Sequence, residues 1–336
     1  MNAILLYPRD GAQFRLGEGS LEESGDMLHS DTLFSALANI YALAFNKADN
    51  FIQFVQEGKL RFSSALFGLH FLKENQRVYF VPKPNLDFTQ TERKKAKKVK
   101  FISLKALEII SERTEKEKLE SEIDLDAFHN IGGKFLLETK EAHGYNLKEK
   151  NFISITTAPK VFVRKEVKED NYYHESNLQF CAVEDNDQPI ANGFFYILLD
   201  HQLSEDEFKE FQAAIRILAD EGIGGSRSTG CGQIKHVDFT EISVPKTGTL
   251  HLGLALVSPK DDQEFQSSKR YELILRGGGS LGKSGDYSKH RKLARFIREG
   301  AIYNVPVQGK LVDLSPDENP FPHRILRNGI NFSIPF

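Results

Sequence analysis

Two glycine-rich stretches and one polar turn carry the residues with chemistry to do. Between Gly222 and Gly232 the chain reads Gly-Ile-Gly-Gly-Ser-Arg-Ser-Thr-Gly-Cys-Gly, five glycines around one arginine. Glycine density lets backbone N–H groups take positive φ and close on an anion, and Ser226, Arg227, Ser228 and Thr229 add side-chain donors beside Gly224, Gly225 and Gly230. A tight turn is the plain alternative, but one or two glycines suffice for it. The second stretch, Gly277-Gly-Gly-Ser-Leu-Gly-Lys-Ser284, matches the Walker A pattern, with Lys283 as its phosphate lysine. Gly285 interrupts the helix that should follow, only 52 residues remain for a P-loop sheet, and the one later Val-Asp pair, Val312-Asp313, is poorly set for a Walker B aspartate. Gly277 and Gly278 with Arg276, Lys283, Lys289, Arg291 and Lys292 serve equally well as a second phosphate cradle. The turn His29-Ser30-Asp31-Thr32 precedes a helical pattern, where unpaired N–H groups attract anions.

The elements that must position these residues follow from periodicity. Ser204-Glu-Asp-Glu opens a helix to Asp220 whose apolar residues Phe208, Phe211, Ile215 and Leu218 recur every three or four positions, and Gln233–Phe239 then reads as a strand. Helix, glycine loop, strand is the reverse of nucleotide-binding order, so the first loop is not read as a mononucleotide site. Upstream, the spacing predicts a strand at Ala3–Tyr7, a helix over Ser30–Phe45 capped by Ser30 or Asp31, and strands near Leu60–Leu69 and Val78–Pro82. The plan is βαββ, an insertion at about 83–192, then αβ. The insertion holds a helical stretch near Leu104–Glu120 and a hairpin, Ile153–Arg164 with Ser176–Val183. After Pro245 the pattern restarts: strand Thr249–Val257, helix Asp261–Lys269, strand Tyr271–Arg276, glycine loop, helix Ser288–Arg298. The expected class is α+β, with two ferredoxin-like βαββαβ domains packed together, 1–243 and 244–336.

Composition narrows the function. With 336 residues and 40% hydrophobic content the chain can build real cores. Two cysteines, Cys181 and Cys231, make neither a disulfide framework nor a four-ligand zinc site, and a reducing cytoplasm fits; no metal, cofactor, export signal or membrane anchor is expected. The net charge of −3 argues against a binder that is basic throughout. Yet Lys269–Phe336 holds twelve Lys or Arg against six Asp or Glu, and Arg93–Lys100 packs six cations into eight residues. A polyanion can bind locally on such a chain.

The segments Gly17-Glu-Gly-Ser-Leu-Glu-Glu and His29-Ser-Asp-Thr-Leu-Phe-Ser-Ala-Leu37, the Gly222–Gly232 loop, Tyr271-Glu-Leu-Ile-Leu-Arg-Gly-Gly-Gly, and Arg291-Lys292 through Gly300 resemble the RAMP superfamily of CRISPR proteins. More narrowly, they resemble the fourth-subunit family of the type III-A, or Csm, interference complex. The resemblance spans nearly the whole chain. It implies a non-catalytic, RRM-like RNA-binding subunit that grips the 5′ handle of CRISPR RNA, joins the large polymerase and HD-nuclease subunit to the repeating backbone subunit, and meets target RNA indirectly in antiviral defence. It also implies that the His29–Thr32 turn lies near RNA and that the hairpin is a thumb, placing Arg164 and Lys165, with Tyr172 and Tyr173, on a kinked nucleotide. Related RAMP endoribonucleases cut repeats with a histidine, so His29 as a general base is the enzymatic alternative; no second acid or base stands beside it. Hydrolysis at Lys283 is the weaker one.

Overall fold

The computed structural model describes residues 1–17, 24–162, 171–281, 288–317 and 323–336. Its centre is four antiparallel strands, β1 (Asn2–Pro8), β2 (Leu66–Phe71), β3 (Gln188–His201) and β4 (Ile234–Glu241), side by side in the order β2-β3-β1-β4. Register is set by a fully apolar middle: Ile4 faces Ile197 and Phe239, and Leu6 faces Phe195. Helix α1 (Ser30–Ile40) follows β1 and helix α2 (Glu205–Glu221) follows β3; the two pack on each other. Leu33, Phe34, Leu37 and Ile40 of α1 are buried, and Phe211, Ile215 and Leu218 of α2 are buried at the helical spacing read from the sequence, each stabilising the fold by about 1.5–3 kcal/mol.

Helix α2 begins as expected, with Ser204 and Glu207 forming a reciprocal capping box. Helix α1 does not: His29 is the N-cap residue, and Ser30 and Asp31 lie inside the helix, both fully buried. Their side chains serve distant partners instead of the helix end. The expected Leu60–Leu69 strand is two strands, Leu60–Phe62 and β2, because Ser63 and Ser64 turn aside to bond Leu198 and Leu254. The third strand of the central pattern is β3, a continuous apolar run without the alternation that marks a half-buried strand; the expected Val78–Pro82 strand, Gln76–Pro82 here, extends the sheet beyond β2.

The insertion continues that sheet through Phe101–Ser103, Phe135–Leu137 and His129–Ile131. Arg93–Lys98 is a short helix, and the Leu104 helix stops at Glu112. The expected hairpin is present with its second strand displaced: Ile153–Phe162 pairs with Asn171–Phe180 over ten residue pairs, while Val183 belongs to a separate strand, Ala182–Asp185, on the central sheet. Its tip, including Arg164 and Lys165, lies outside the described residues.

In the last third, four short antiparallel strands, His251–Gly253, Ser268–Arg270, Ile302–Tyr303 and Ser333–Pro335, stand in the order second, third, first, fourth. One helix, Asp262–Ser267, joins the first two. The helix expected over Ser288–Arg298 is absent: Ser288–His290 and Ala294–Ile297 are strands, the latter paired with Leu273–Arg276. Cross-strand pairing wins: Phe296 and Ile297 are both buried, and each residue from Ala294 to Ile297 faces one of Leu273–Arg276.

Candidate nucleic-acid interface

The Gly222–Gly232 loop is a knot of positive-φ backbone. Gly222, Gly224, Gly230 and Gly232 lie between +82° and +94°, and Ser226 joins them at +55°. Gly232 is held hardest, since a Cβ there would lie 2.2 Å from the Ile223 carbonyl oxygen. The loop is pinned to the segment after β1: Gly232 donates to the Gln13 carbonyl (2.7 Å) and Gly225 to that of Arg15 (2.9 Å). Ser226 Oγ donates to Glu175 of the hairpin at 3.2 Å, and Thr229 folds back on the Ser226 carbonyl. The N–H groups of Gly224, Ser226, Arg227 and Ser228 bond no acceptor among the described residues, and Arg227, Ser228 and Thr229 are exposed. Arg227 meets Glu221 at 3.1 Å, an exposed pair that contributes little to stability.

The His29–Thr32 turn has a different character. His29 Nδ1 and Glu299 Oε1 are 2.8 Å apart, Ser64 donates to the same carboxylate, and His29 is 6% exposed. Burial opposes the Glu299 charge, but the facing His29 and the two hydrogen bonds hold its carboxyl below the usual range. Two residues on, Asp31 receives Arg276 through Nε (2.9 Å) and Nη2 (3.0 Å), and Arg327 through Nη1 (3.0 Å). Burial opposes this charge too, yet the two guanidiniums keep Asp31 below the carboxylate range. Arg276 Nη2 also donates to Thr32 (3.0 Å), and Arg327 to the Gly277 carbonyl (3.3 Å). Ser30 Oγ accepts from Leu256 N–H at 3.1 Å. The turn is therefore sewn to the C-terminal third: Ser30, Asp31 and Arg276 are interior joints, and their polar atoms are taken by protein.

The second glycine stretch leads into a hairpin, Gly279–Leu281 with Ser288–His290, where a P-loop needs a helix. Gly278 has φ +108° and accepts from Arg291 N–H (3.0 Å), while exposed Lys292 pairs with Asp317 at 2.6 Å. Lys283 lies outside the described residues, as does all of the Gly17 motif beyond Gly17 itself.

Between these features runs a groove of about 550 Å³. Its walls are the Ser24–Met27 turn, the hairpin base at Ile153–Ile155, and Ile274–Arg276, with His29 lining it. The turn is tied to the first loop's anchor, because Gly25 N–H and Ser24 Oγ both donate to the Leu16 carbonyl. Three cations line the groove besides Arg276. Arg298 pairs with Asp26 at 2.9 Å; Lys100 and Lys134, adjacent through a 2.8 Å backbone bond, are exposed and meet no carboxylate among the described residues. Lys100 is the last residue of the basic block, while Lys95 pairs with Asp126 away from it. Lys134 and Arg15 were not foreseen, having no local pattern to mark them. Among the described residues no helix is long and apolar enough to cross a membrane.

Residues 246–336 match the family model described as the CRISPR Csm4 C-terminal domain. The chain is 26% identical over 382 aligned positions to a Methanocaldococcus jannaschii protein described as "CRISPR system Cms protein Csm4", covering all of this chain and 98% of that one. Its fold is similar to a chain of a Csm3–Csm4 subcomplex of the type III-A interference complex (TM-score 0.66, 21% identity, covering 100% and 99%). It is also similar to a chain of a Csm1–Csm4 cassette with pppApA (TM-score 0.58, 17% identity, covering 99% and 96%).

Proposed function

This chain belongs to the Csm4 family of type III-A CRISPR effector subunits, and on that premise we propose that it is a non-catalytic scaffold gripping the 5′ handle of CRISPR RNA in the groove. The observation that carries the reading is the pair of exposed lysines, Lys100 and Lys134, that meet no carboxylate among the described residues and lie between the hairpin base and the Ser24–Met27 turn, which Leu16 ties to the segment anchoring the glycine loop. Such a surface suits a single strand, held by phosphate contacts with room for splayed bases. The shared strand order of the two halves supports two ferredoxin-like domains, 1–243 and 244–336, and the ten-pair hairpin is read as the thumb. The solved relatives pair a Csm4 with Csm3 in one case and Csm1 in the other; by likeness, this chain joins the backbone subunit to the large subunit in the cytoplasm.

Phosphate contacts predict a salt dependence. Each single-strand contact contributes about 0.7 to the slope of log affinity against log salt, so Lys134→Ala should flatten the slope for a handle-length RNA by about that amount. An unchanged slope refutes the placement. The burial of His29 against Glu299 supports a structural role, so His29→Ala should leave precursor processing intact in cells expressing the whole system. Loss of processing with an unchanged amount of folded complex favours the endoribonuclease reading instead.

A further inference from the structure

The central sheet has a second face. Alternation along β1 sends Leu6 toward Phe195 and Tyr7 to the opposite side, where cross-strand pairing sets it beside His236. Tyr7 and His236 lie nearly parallel, 6.0 Å between ring centres at 28°, and Tyr7 is 5.2 Å from Phe194. Phe194 lies flat across its cross-strand neighbour Gly68, where a Cβ would sit 2.2 Å from the ring, and it meets Tyr79 at 5.9 Å. The result is a shelf of rings, half-buried at Tyr7 and Tyr79 and open at His236, whose side chain is 61% exposed.

Cations edge the shelf. Arg77 Nε donates to Tyr7 Oη at 2.9 Å, and exposed Arg9 and Lys235 line the same pocket of about 600 Å³, Lys235 only 4.0 Å from Asp10. Asn192 and Asp238 supply amide and carboxylate groups on the rim, Asp238 already 2.6 Å from His236 Nε2. The groove described above lies on the other side, with Lys100, Phe101 and the hairpin base, so this pocket is separate from it.

We propose that this ring shelf is a second nucleotide site, stacking one unpaired base on Tyr7 and His236 while Arg77, Arg9 and Lys235 hold its phosphate. Aromatic platforms on sheets bind bases because every base has a π-face, and flanking cations supply the backbone contact. The inference goes beyond the handle grip and does not depend on it. The shared chemistry, base plus phosphate, comes from an RNA strand or from a free nucleotide.

The test uses the full-length chain with fluorescent hexauridylate carrying one 4-thiouridine, in a Lys100→Glu, Lys134→Glu background that disables the groove. Photo-crosslinks should map to Tyr7 or His236, and adding His236→Ala with Arg77→Gln, both exposed positions, should weaken binding about tenfold. Competition by uridine monophosphate identifies a free-nucleotide site, and failure to compete identifies a strand site; both support the proposal. Crosslinks confined to other surfaces, or affinity within about twofold of the background, overturn it. Should the groove reading be the one that fails, the background substitutions leave hexamer affinity as in the wild type while the shelf crosslink persists.

Discussion

Asp31→Asn tests the joint between the two parts of the chain. Asp31 is fully buried and faces two guanidiniums, Arg276 and Arg327, that are themselves 4% exposed. Removing one charge from such a cluster leaves like charges buried together, which costs about 3–5 kcal/mol. With a urea slope of about 3 kcal/mol/M, the unfolding midpoint should fall by roughly 1–1.7 M. Acid should act the same way on the wild type. Asp31 and Glu299 are both held below the carboxylate range, so the unfolded chain takes up their protons first. Their stabilisation is complete above about pH 5, where unfolded carboxyls are ionised, and is lost as pH falls through the lower folded values. Urea titrations of wild type and variant at pH 7 and pH 4 provide the measurement. A midpoint shift below about 0.3 M at pH 7 refutes the clamp, because a cluster worth so little is not holding the halves together.

Two further outcomes follow from local geometry. Gly232→Ala meets both a φ of +82° and a backbone clash at Ile223, so it should cost about 2–4 kcal/mol and weaken RNA binding, read by urea unfolding and by anisotropy. Lys83 is pushed down to about 8 by burial and by the neighbouring Lys100 charge. The unfolded chain therefore holds its proton to higher pH, and wild-type stability rises relative to Lys83→Met as pH goes from about 8 to about 10.5. A stability difference constant over that range contradicts the assignment.

What was legible was local. Ser204 and Glu207 cap a helix three residues apart, and the Ile153 hairpin pairs nearby strands, so both stood in the sequence. Asp31 looked like a helix cap because its partners, Arg276 and Arg327, lie 245 and 296 residues away. The same distance hid Glu299 from His29. Strand β3 was passed over although Phe194–Leu199 is a continuous apolar run, the mark of a strand buried on both faces. Segment 288–298 carried enough helix formers to suggest a helix, but pairing with Leu273–Arg276 made part of it a strand. The glycine loop was found by composition alone; its attachment to Arg15 and Glu175 depends on tertiary pairing.

The grip on guide RNA is tested most directly by purifying the assembled complex with Lys100→Glu, Lys134→Glu and Arg227→Glu together, and comparing its 260/280 nm absorbance ratio and extracted RNA with the wild type. Wild-type complex should carry a discrete guide species, and the triple variant should lose it while its folded subunit is still produced at normal levels. Undiminished guide RNA in the variant would contradict the account.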